Sequence, residues 1–83
     1  MATTRLEFTV EPFRDGAPGP HVQAAVEAVR ARGIPVEMGP FSTFAEVEQG
    51  EAIEAVRALL EAAFAAGALR VSLQVTSIAE AAG

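Results

Sequence analysis

A chain of 83 residues with a formal net charge of -5 and a pI near 4.7 makes one domain, residues 1–83. A core of that size supplies only about 3–5 kcal/mol, so oligomerisation is expected to help hold it. Six scattered arginines without a lysine exclude a nucleic-acid surface, and one histidine without cysteine excludes disulfides, thiolate chemistry and a His-rich metal site.

From Arg5 to Phe13 the chain alternates, with Leu6, Phe8 and Val10 on one face and Glu7, Thr9 and Glu11 on the other. That is the period of a half-buried strand, and Pro12 limits pairing near its end. The first residues, Met1 to Glu7, lack a basic region followed by an apolar one, so no signal peptide is expected. No apolar run approaches the ~20 residues of a membrane span, and the expectation is a cytoplasmic protein with no membrane partner.

The breaker-dense Asp15 to Pro20 reads as a loop, and Pro20 suits the opening of a helix. Val22, Ala25, Val26 and Val29 then recur at helical spacing, and Gly33 is a suitable C-terminal stop. Ile34 to Met38 reads as a short strand, Gly39-Pro40 as a turn, Phe41 to Glu48 as the next strand and Gln49-Gly50 as its end. Glu51 to Ala66 is the longest helix signal, with Ile53, Val56, Leu60, Ala63 and Phe64 as its apolar stripe and Gly67 as its stop. Leu69, Val71, Leu73 and Val75 alternate with Arg70, Ser72, Gln74 and Thr76 in a last strand, and the tail beyond Ile78 is expected to fray.

The order β-α-β-β-α-β predicts an α+β, ferredoxin-like sandwich: a four-stranded antiparallel sheet with two helices on one face. The other face is then left uncovered. It carries Glu7, Thr9, Glu11, Ser42, Phe44, Glu46, Arg70, Ser72, Gln74 and Thr76. An aromatic such as Phe44 among polar neighbours suits a partner subunit or a flat ligand. Glu7, Glu11 and Glu46 form either a solvated face or a negative pocket for a cation. His21 is either a partly exposed first-turn residue or a ligand contact over the sheet edge. Phe41 is by default a core residue.

Enzyme signatures are absent: no nucleophile elbow, zinc-helix motif, P-loop or dinucleotide fingerprint occurs. Arg14 stands where some phosphate-binding enzymes of this fold hold a loop arginine, but Asp15 beside it repels an anion. The expectation is no enzyme, no catalytic residue, no cofactor and no metal.

The runs Phe8-Thr9-Val10-Glu11-Pro12-Phe13, Gly39-Pro40-Phe41-Ser42-Thr43-Phe44-Ala45-Glu46 and Arg70-Val71-Ser72-Leu73-Gln74-Val75-Thr76 resemble the small thiamine-binding proteins of bacteria and archaea. The resemblance implies a ferredoxin-like fold and dimers assembled into a homotetramer. It also implies non-catalytic binding of thiamine or its hydroxymethylpyrimidine part. Carried onto this chain, it points to Glu11, Phe41, Thr43 and Glu46. Ser42 and Phe44 join them as a hydroxyl and a ring that complement a flat cation. Strand alternation sets Thr43 and Glu46 on opposite faces, so a bulge or a second subunit is needed for both to line one pocket. The alternative is a structural or regulatory oligomerisation module without a small-molecule ligand.

Overall fold

The computed structural model describes residues 3–12, 19–39 and 42–78. Its elements are β1 (Thr3–Glu11), α1 (Pro20–Arg30), β2 (Val36–Met38), β3 (Thr43–Glu48), α2 (Gln49–Ala65) and β4 (Arg70–Ile78). The four strands form one antiparallel sheet in the order β2-β3-β1-β4. This is the ferredoxin-like α+β sandwich that the element order predicts, with α1 and α2 packed together over one face.

β1 lies at the centre, and alternation along it is complete. Thr4, Leu6, Phe8 and Val10 are buried beneath the helices, whereas Arg5, Glu7, Thr9 and Glu11 turn to the other face. β3 repeats the pattern, with Thr43, Ala45 and Val47 buried. The register sets Leu6 opposite Ala45 on β3 and opposite Val75 on β4, so the helix-side rows run across the sheet.

α1 buries His21, Ala25, Val26 and Val29. Gly33 takes φ +80°, a conformation costly for any other residue, as the chain turns toward β2. The helix itself ends at Arg30, so Gly33 ends the turn that follows rather than capping the helix directly. α2 ends in a Schellman motif: the Ala68 amide donates to the Ala63 carbonyl and the Gly67 amide to that of Phe64, with Gly67 at φ +102°.

Two expectations for α2 are corrected. Gln49 and Gly50 form its first turn rather than ending β3, because Glu48 passes directly from extended backbone into the helix. The buried stripe is Ala52, Ala55, Leu59 and Ala63, with Val56 and Leu60 half-buried beside it. Ile53 is 75% exposed and Phe64 51% exposed. Alanines let α2 sit close to α1 and the sheet, and a closely packed helix of small side chains leaves no room for the bulkier row.

Candidate functional site

The face away from the helices is built by cross-strand rows. In one row, Glu37 of β2 faces Phe44 of β3, which faces Glu7 of β1, which faces Gln74 of β4. In the next, Glu46 of β3 faces Arg5 of β1, which faces Thr76 of β4. Around Phe44 the face sinks into a recess of about 390 Å³, lined by Arg5, Pro35, Glu37, Phe44, Ala45 and Glu46. That volume lies in the range of small-molecule sites.

The ring of Phe44 is set by what surrounds it. The Gly39 amide donates to the Ser42 carbonyl at 2.8 Å, which closes the turn between β2 and β3. A Cβ on Gly39 would stand 3.1 Å from that carbonyl oxygen and 3.3 Å from Cζ of Phe44, so glycine is what allows the ring tip to lodge there. The Arg5 guanidinium lies over the ring, with Cζ 4.9 Å from its centroid. The Ser42 hydroxyl donates to Glu7 at 3.1 Å and holds that carboxylate beside the ring. Glu37 and Glu46 are exposed on the other side, and Phe44 and Arg5 are half-buried. Three carboxylates thus surround one ring and one guanidinium, an arrangement that favours a planar cation.

The family model for thiamine-binding proteins matches residues 6–78. The chain belongs to the thiamine-binding protein family. Among solved structures, a Thermotoga maritima protein provisionally assigned to thiamine biosynthesis or salvage is 27% identical. That alignment covers 98% of this chain and 87% of the other, with a TM-score of 0.68. A domain of unknown function from Bacillus cereus matches with TM-score 0.67 at 24% identity, over 94% of this chain and 76% of its own. A hypothetical protein of Methanocaldococcus jannascii matches with TM-score 0.62 at 21% identity, over 94% of this chain and 80% of its own. These last two likenesses concern the fold alone. No curated protein matches the chain.

Within this thiamine-binding family fold, the residues singled out from sequence part company. Phe44 and Glu46 line the recess, and Ser42 braces it through Glu7. Thr43 is 7% exposed on the helix side of β3, so it and Glu46 do lie on opposite faces. Glu11 sits six residues beyond Arg5 on β1, about 20 Å away at strand rise, where it pairs with Arg70 at 3.7 Å. Phe41 lies outside the described residues, as do Arg14 and Asp15.

His21 corrects the reading of a partly exposed first-turn residue. It is 2% exposed, and its Nε2–H donates to the Pro12 carbonyl, tying the end of β1 to the start of α1. A buried imidazole needs such a partner. Besides Pro35 and Ala45, two charged recess residues, Arg5 and Glu37, were not among those expected. Alternation signals both, since Arg5 shares the face of Glu7 and Glu37 lies between Val36 and Met38. Only the register brings them to Phe44.

Proposed function

We propose that the protein binds thiamine, or a related hydroxymethylpyrimidine-type ligand, without catalysis, in the recess around Phe44, as a carrier, buffer or sensor. Phe44 flanked by Glu37 and Glu46 is the observation that carries this reading. Thiamine has a permanently charged thiazolium and a flat aminopyrimidine. A ring to stack on, a carboxylate to face the cation and a second carboxylate to accept from the amine complement those groups. Family membership and the name of the Thermotoga relative support the same ligand class. Among the described residues the recess lining offers carboxylates, a guanidinium and a ring but no hydroxyl, thiol or imidazole, which favours binding over chemistry.

Calorimetric titration of thiamine into the purified protein tests the reading. Ligand at a hundred times its Kd is expected to raise the melting temperature by on the order of 10 °C. No heat and no shift at millimolar thiamine would sink it. Glu46→Gln is expected to weaken binding while leaving any oligomer intact; loss of the oligomer would instead make Glu46 an interface residue.

Self-association belongs to the same proposal. Among the described residues β4 pairs only with β1, and Leu69 just before it and Val75 on it are 81% and 53% exposed. An open edge flanked by apolar side chains suits a second copy of the chain, as a dimer or tetramer. This observation also favours the alternative of an assembly module without a ligand. Light scattering and the thiamine titration separate the two: an oligomer that ignores thiamine is the module.

A further inference from the structure

We propose that Arg5 is a built-in competitor for the ligand position, and so sets how tightly the recess holds a stacking ligand. The inference rests on the reading of the recess as a site for planar cations. Arg5 is directly opposite Glu46 in the β1–β3 register and on the same face. Yet the ion pairs among the described residues do not include Arg5, and its guanidinium lies 4.9 Å from the Phe44 centroid instead. That distance is within the range of a cation–π contact. The tip of the ring lies against Gly39. Because Arg5 lines the same recess and lies over the ring, a planar cation that stacks on Phe44 from the recess takes the place of the guanidinium.

Displacement weakens binding, and the carboxylates then set the preference. A ligand must replace the cation–π contact with its own charge and also satisfy Glu37 and Glu46, which Arg5 leaves without ion-pair partners among the described residues. A neutral flat molecule loses the contact and gains no charge pairing in return. Arg5 thus lowers affinity for every stacking ligand, and Glu37 and Glu46 favour the cationic ones.

The test compares wild type with Arg5→Ala, Arg5→Gln and each change combined with Phe44→Leu. Binding of thiamine and of N-methylpyridinium, a planar cation without hydrogen-bonding groups, is followed by NMR titration. Both Arg5 variants are expected to bind both probes about two- to fivefold more tightly, the size of one exposed cation–π contact. Most of that gain is expected to vanish in the Phe44→Leu background. If thiamine binds wild type but binds both Arg5 variants equally or more weakly, Arg5 is no competitor, and the thiamine reading stands. If thiamine binds none of the proteins while N-methylpyridinium prefers the Arg5 variants, the competitor role holds and the thiamine reading falls. If neither probe binds any of the proteins, both fall.

Discussion

β1 and β4 run side by side for nine residues each, and both alternate apolar with polar side chains. On β1 the apolar set Leu6, Phe8 and Val10 is sealed beneath the helices. On β4 the equivalent Val71 and Leu73 are only half-buried, and Val75 is 53% exposed. Period two decides which face a side chain takes. How deep it lies depends on its neighbours: among the described residues β1 has a strand on either side and both helices above it, whereas β4 has one strand and α2 alone.

The cross-strand pair Phe8 and Leu73 is the most direct way to break that comparison. Phe8→Ala is expected to cost about 3–5 kcal/mol, nearly the whole stability of so small a domain. Urea denaturation would show a chain already unfolded or close to it. Leu73→Ala, half-buried on the other side of the same ladder, should cost about 1–2 kcal/mol. Equal losses at the two positions would mean that β4 is covered in solution. His21→Ala comes next, at about 1–3 kcal/mol, because it leaves the Pro12 carbonyl without its donor.

Val75→Thr sharpens the comparison from the exposed side. In a monomer the change should cost under about 1 kcal/mol, and the same melt at several protein concentrations checks it. Should β4 pair with a second copy, the cost will grow and the melting temperature will depend on concentration. Smallest of all is Arg57→Ala. It removes a 3.7 Å pair with Glu61 on the exposed side of α2 and is expected to stay within about 0.5 kcal/mol by thermal melt.

The face that carries the recess is legible in the sequence. Alternation alone put Glu7, Ser42, Phe44 and Glu46 on the uncovered face, and they are there. It could not say that Phe44 would meet Arg5 and Glu37, or that Glu11 would lie far from the recess. Those relations depend on register between strands, which short-range patterning does not encode. The stripe on α2 was ambiguous for a related reason. Apolar residues occur nearly all the way round that helix, so periodicity could not choose between the row of Ile53 and Phe64 and the row of Ala52, Ala55 and Leu59.

The sequence by itself therefore determined the order of the elements, the stop at Gly67 and the face taken by the described residues of β1, β3 and β4. Local sterics and a period of two or 3.6 govern all of these within a few residues. Only the tertiary structure decided the depth of β4, the burying row of α2, the burial of His21 and the company of Phe44. Each of these is settled by segments far apart in sequence competing for the same space.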